Sequence, residues 1–167
     1  MKRIQKIFIA VNFSVLLIFC LLIAKRINEK FKAEAIITNI PKFSFLLQSR
    51  HSFSNKDIDN TKPRIIINHF SPTCEHCQYM AIEFLKDSQK LKNVQILMIT
   101  SADSLSAANF NNDYKLSLLP NIEILRDTNY QFQKLFGTGV VPTFFIYEQN
   151  KLIKNIKGET RLENLID

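Results

Sequence analysis

Past residue 40 the chain alternates between short unbroken apolar runs and longer stretches in which apolar residues recur every three or four positions. Arg64–Phe70 (RIIINHF) and Val94–Thr100 (VQILMIT) are apolar, rich in branched side chains and do not alternate, which predicts strands buried on both faces of a sheet. Between them, Met80, Ala81, Phe84 and Leu85 fall on one face of a helix expected from about Cys74 to Leu91. Ser101 and Asp103 can cap a second helix running to about Asp113. Asn121–Leu125 predicts another strand, and Thr128 the cap of a helix that Gly137-Thr138-Gly139 ends after Phe136. Thr143–Glu148 and Leu152–Ile156 form a hairpin through Gln149-Asn150-Lys151, and a last short helix starts near Thr160. Ahead of all these, Phe43, Phe45 and Leu47 give a weak strand pattern, and residues 49–63 read as a polar surface loop. Strands alternating with helices and closing on a hairpin predict an α/β fold with a sheet of mixed direction.

The start of the chain carries a different pattern. From Ile7 to Ala24 it is apolar on every side, interrupted only by Asn12 and Ser14, with Lys/Arg at both ends. As a helix this run would span about 27 Å, the thickness of a bilayer core. It predicts one transmembrane helix over about residues 7–24 inside an N-terminal anchor and juxtamembrane segment, 1–40. A domain over 41–167 follows, with Pro41 stopping a juxtamembrane helix suggested over 25–38. A cleaved signal peptide is the competing reading, but the nearby small-residue site, Ala33-Glu34-Ala35, is separated from the run by charges beginning at Lys25-Arg26. Cys20 follows Phe19, where a lipoprotein site would need a small residue, so it is expected to pack as an apolar side chain.

Composition changes the picture in one respect. The 167 residues carry a net charge of +7, which invites a nucleic-acid reading. Residues 1–40 hold seven Lys/Arg against two acids, and the rest of the chain holds 15 against 13. Most of the surplus therefore flanks the apolar run, and no basic patch interleaved with aromatics supports nucleic-acid binding. The apolar fraction of 46%, with three glycines and five prolines, excludes disordered and collagen-like chains.

Three cysteines make no disulfide framework, so cysteine chemistry must sit in one pair. Cys74-Glu75-His76-Cys77 lies where a strand hands over to a helix. That spacing puts two sulfurs within reach over one turn, with Cys74 at the helix N-terminus as the exposed nucleophile and Cys77 shielded as the resolving group. A zinc site would need two of His51, His69 and His76 in addition, and no second cysteine pair exists, so no metal is expected. His69 and His51 are expected to be ordinary strand and loop residues. His76 and Glu75 would tune the neighbouring sulfur in opposite directions. Val141-Pro142-Thr143 begins an apolar strand. Opposite a CxxC, it reads as a cis-proline loop whose backbone binds an extended client segment as an added strand.

With these motifs together, residues 41–165 resemble the thioredoxin fold and, within it, the membrane-anchored TlpA-like redoxins of bacterial envelopes. The resemblance rests on Phe43-Ser44-Phe45, Asn68-His69-Phe70, the CEHC motif, Pro120-Asn121-Ile122, Gly139-Val140-Val141-Pro142-Thr143 and the closing hairpin with Gly158. It implies a thiol–disulfide oxidoreductase with a redox-active Cys74–Cys77 disulfide and no further cofactor, Cys74 as nucleophile, Cys77 as resolving cysteine and Pro142 as the cis-proline. Its clients would be disulfide-containing or dithiol proteins, served by a membrane-borne thiol donor. Its expected place is the cytoplasmic (inner) membrane, single-pass, with the domain on the periplasmic or extracytoplasmic side, where disulfides are useful.

Three departures stand out. Ser71-Pro72-Thr73 replaces the family's aromatic-rich segment ending in Trp, and Asn68 stands six residues before Cys74 where thioredoxins bury an acid. Glu83 is a poor substitute, since the helical pattern points it outward. The Thr that peroxiredoxins place three residues before their reactive cysteine is missing for both Cys74 and Cys77. Two rival functions are a copper chaperone using Cys74, Cys77 and a histidine, and a binding module in which the CxxC is idle.

Overall fold

A computed structural model describes residues 13, 14, 16–26 and 37–167. The chain divides into two compact units, 1–35 and 36–167. In the first, residues 16–26 are helical and expose Leu16, Leu17, Ile18, Phe19, Leu21 and Leu22. Among the described residues no helix is long and apolar enough to cross a membrane. Of the expected span over 7–24, residues 7–12 and 15 lie outside the described residues, and the juxtamembrane helix expected over 25–38 lies largely outside them.

The second unit is built on a seven-stranded sheet. Its strands are β1 (Ser44–Leu47), β2 (Ser52–Ser54), β3 (Arg64–His69), β4 (Val94–Thr100), β5 (Ile122–Arg126), β6 (Thr143–Glu148) and β7 (Lys151–Lys157), in the order β2-β1-β5-β4-β3-β6-β7. The central strands β3, β4 and β5 run parallel, while β1, β6 and β7 pair antiparallel to their neighbours. Among the described residues it also carries the helices α1 (Glu75–Lys86), α2 (Ser104–Asp113), α3 (Phe132–Phe136) and α4 (Glu163–Ile166).

The two faces of β3 explain why its sequence does not alternate. Ile66 and Phe70 join Met80, Ala81 and Phe84 of α1, Phe110 of α2 and Leu165 of α4 in one core. Ile65 and Ile67 join Phe45, Phe132, Phe136, Phe145 and Tyr147 in the other. Each central strand is sandwiched, so apolar side chains are needed on both sides.

Three expectations are corrected here. Residues 49–63 are not all loop: β2 pairs with β1, and Phe53 is buried against Phe43 with ring centroids 6.4 Å apart. One buried aromatic among polar residues carries no readable period. Thr128 does not cap α3: Gln131 holds the cap position, and the Asp127 carboxylate accepts from Gln131 N (2.9 Å) and Phe132 N (2.7 Å). The helix after Cys74 ends at Lys86, and a separate 3₁₀ turn follows over Ser88–Leu91. Asp103 does cap α2, accepting from Ser106 N at 2.9 Å. The hairpin turn is two residues, Gln149 and Asn150, both at positive φ (48° and 68°), as tight connections between twisted strands require. Residues ahead of the 40/41 boundary also pack into this unit, since Ile37 is buried and Tyr147 Oη donates to its carbonyl at 3.1 Å.

Candidate active site

β3 ends at His69, and the chain turns through Ser71-Pro72-Thr73 into α1. Cys74 is the residue preceding the helix, with extended backbone (φ −88°, ψ 115°), and its carbonyl accepts the first helical hydrogen bonds from Cys77 N and Gln78 N, both at 3.0 Å. Cys77 lies one turn inside and is 1% exposed in the core beside Met80 and Ala81, whereas Cys74 is half-buried. Both are free thiols. Burial, and then contact with the Cys74 thiol, pushes the Cys77 thiol up to about 12. The two sulfurs are therefore unequal: one reachable, the other held protonated at neutral pH.

The Val141–Pro142 peptide is cis, and the Val141 carbonyl stands 3.9 Å from Cys74 Sγ. This loop is fastened on both sides of the proline. The Val140 carbonyl accepts from Thr143 Oγ1 (2.7 Å) and lies 3.3 Å from His69 Nδ1. The Pro142 carbonyl accepts from Gly158 N at 2.8 Å. Gly158 sits at φ 88°, a conformation that a side-chain-bearing residue rarely adopts, which accounts for a glycine there. Cys74, Cys77, Val141, Pro142 and Thr143 are thus brought to one end of β3 and β6.

His76 and Glu75 open α1 on its solvent side. His76 Nδ1 meets Glu159 Oε2 at 2.7 Å, tying α1 to the loop after β7, a partner 83 positions away that no sequence pattern indicated. His51 is exposed and bonds Ser49. Among the described residues no cluster of three His, Cys, Asp or Glu side chains could hold a metal ion. A cavity of about 1100 Å³ lies elsewhere, lined by Asn55, Ile58, Pro63 and the Glu148–Lys151 turn.

Asn68 lies beneath the motif, 1% exposed, and its Oδ1 has no hydrogen-bond partner. A buried carbonyl without a donor costs about 1–3 kcal/mol. Replacing Asn68 by leucine should therefore raise the Tm of the reduced protein by about 3–6 °C, read by thermal unfolding. A drop in Tm would show that the amide is held by a contact. Glu83, by comparison, is half-buried on α1 and paired to Lys86 at 3.4 Å.

A mixed sheet of this order, a CxxC where a strand meets a helix, and a proline loop over its first sulfur define a class, the thioredoxin-like thiol–disulfide oxidoreductases. The chain belongs to the thioredoxin family: the profile described as Thioredoxin matches residues 44–139. Among solved structures it is similar to a secreted disulfide oxidoreductase of Mycobacterium tuberculosis homologous to E. coli DsbE, at TM-score 0.59 and 17% identity over 71% of this chain and 85% of that one. It is also similar to StoA of Bacillus subtilis, at TM-score 0.55 and 18% identity over 77% and 96%. A candidate thioredoxin of Neisseria meningitidis matches at TM-score 0.59 and 26% identity over 75% and 83%. A comparison with curated protein sequences finds no significant match.

Proposed function

We propose that this protein is a membrane-anchored thiol–disulfide oxidoreductase of the cell envelope, with Cys74 as nucleophile and Cys77 as resolving thiol. The observation that carries this reading is the contrast between a half-buried Cys74 beneath the proline loop and a Cys77 sealed in the core one turn later.

In the reducing direction the Cys74 thiolate attacks one sulfur of a client disulfide. A mixed disulfide forms, and the other client sulfur leaves as a thiolate that takes up a proton. Cys77 then loses its proton and attacks Cys74 Sγ, so the Cys74–Cys77 disulfide forms and the client departs as a dithiol. Two electrons have passed from enzyme to client, and a thiol donor returns them. The backbone of Val141-Pro142-Thr143 pairs with an extended client segment and presents its disulfide to Cys74. Glu75 and His76 adjoin the attacking sulfur, and His76 also ties α1 to Glu159.

The anchor is supported by the apolar run of residues 7–24 and by the exposed apolar side chains of 16–26. Disulfide chemistry favours the extracytoplasmic side for the domain, with a membrane-borne donor as its source of electrons. Retention of the full chain in the membrane pellet after alkaline carbonate washing tests the anchor; release would remove it.

Reduction of insulin or glutathione disulfide by residues 36–167 tests the chemistry. Two thiols that never cycle would end this reading. Stoichiometric copper in anaerobically purified protein, lost on replacement of Cys74, would favour the chaperone instead.

Resolution should depend on pH in a defined direction. Burial, the largest cause, persists when Cys74 is tied up in a mixed disulfide, so the Cys77 thiol stays above its ordinary value and is mostly protonated at pH 7. Its thiolate fraction, and with it the decay of a preformed mixed disulfide on Cys74, should therefore rise by up to about tenfold per pH unit above 7, followed by quenched-flow mass spectrometry. A flat profile would mean that another group takes the Cys77 proton.

A further inference from the structure

His69 reads from the sequence as an ordinary strand residue, and the structure gives it more to do. It ends β3, and its register partner across the sheet is Thr143, the first residue of β6. The two side chains share one face and converge on the same acceptor, the Val140 carbonyl, 3.3 Å from His69 Nδ1 and 2.7 Å from Thr143 Oγ1. That carbonyl immediately precedes the Val141-Pro142 pair.

The ring is held on its other side as well. It stacks on Phe132, with centroids 4.2 Å apart and planes 14° from parallel. Phe132 is itself fixed, packed on Phe136 and Phe145, with its backbone N–H donated to the buried Asp127 carboxylate. Burial lowers the His69 pKa from 6.5, opposed by the Val140 contact and the Asp127 charge, so at neutral pH the ring is uncharged. A carbonyl oxygen can only accept, and the proton therefore sits on Nδ1.

We propose that His69 is a positioning residue of the client-binding loop: clamped on Phe132, it donates Nδ1–H to the Val140 carbonyl and so holds the Val141–Thr143 backbone in the line along which a client segment pairs. The inference rests on the thiol–disulfide exchange proposed above and deepens it. Thr143 alone leaves the carbonyl one tether, on the strand that the loop itself begins. His69 ties it to β3, the strand that leads through Ser71-Pro72-Thr73 into Cys74, and so fixes the client's backbone relative to the attacking sulfur.

The test compares two substrates on the full-length protein in detergent. His69→Phe keeps the stack and removes the donor, whereas His69→Asn restores a donor near the place of Nδ1. For a disulfide-bridged peptide, His69→Phe should raise KM about fivefold with kcat unchanged, the loss expected for one hydrogen bond. Hydroxyethyl disulfide has no backbone to pair and should react at the wild-type rate. His69→Asn should bring the peptide KM back toward wild type. An unchanged peptide KM, equal slowing with the small disulfide, or no recovery with asparagine each overturns the proposal.

A measurement on the unmutated protein stands beside these, in case His69→Phe does not fold. The ¹⁵N shifts of the His69 ring at pH 7 should report the Nδ1–H tautomer, and an Nε2–H tautomer overturns the clamp. Wild-type protein inert toward both disulfides would instead remove the exchange reading, and the tautomer would still judge the clamp.

Discussion

Replacing Cys74 by serine will abolish turnover of client disulfides, by at least about 10³-fold, because Cys77, the other thiol of residues 37–167, is buried. Replacing Cys77 by serine will have a different signature. Attack by Cys74 survives, resolution does not, and mixed disulfides with clients accumulate. Insulin turbidity reads the first effect; non-reducing electrophoresis with mass spectrometry reads the second and identifies the clients. The structure explains the asymmetry. Cys77 is 1% exposed, too buried to meet a client but one helical turn from Cys74. Equal residual activity in the two variants would show that the cysteines are interchangeable and that the assigned roles are wrong.

The largest effect on stability is expected at Phe84. It is fully buried on the face of α1 that also carries Cys77, Met80 and Ala81, inside the core that binds the helix to the sheet. Phe84→Ala should cost about 3–5 kcal/mol, from lost burial and from the cavity left behind. That is a large part of the stability of an ordinary domain and should lower Tm by about 10–20 °C in calorimetry. Below the new Tm the chemistry should survive, since no residue of the exchange pathway is removed. A small loss of stability would mean that α1 is held chiefly by contacts other than this face.

Some elements were legible in the sequence because their causes are local. β3, β4 and β6 are buried on both faces, so their apolar runs are unbroken and easily seen. The helical repeat in α1 needs only the positions of Met80, Ala81 and Phe84. The CxxC is local too: two sulfurs three residues apart at the start of a helix are neighbours in any fold that keeps the helix. Elsewhere the local signal pointed the wrong way. Asp127 and Thr128 both carry side-chain oxygens able to accept from a helix's first N–H groups, and choosing between them required knowing which side chain faced the first turn of α3.

The sequence by itself thus determined the α/β architecture, the helix on which the two cysteines stand and their order along it, since these follow from periodicities and spacings within a few residues. Only the tertiary structure decided what surrounds them. Pro142 is 68 positions from Cys74, Glu159 is 83 from His76, and Val140 is 71 from His69. The first and last pairs meet because β3 and β6 lie side by side in one register, with His69 opposite Thr143, and Glu159 reaches His76 because β7 pairs with β6 in turn. Register is set by the packing of two apolar faces at once, a property of the assembled sheet that no single stretch of the chain contains.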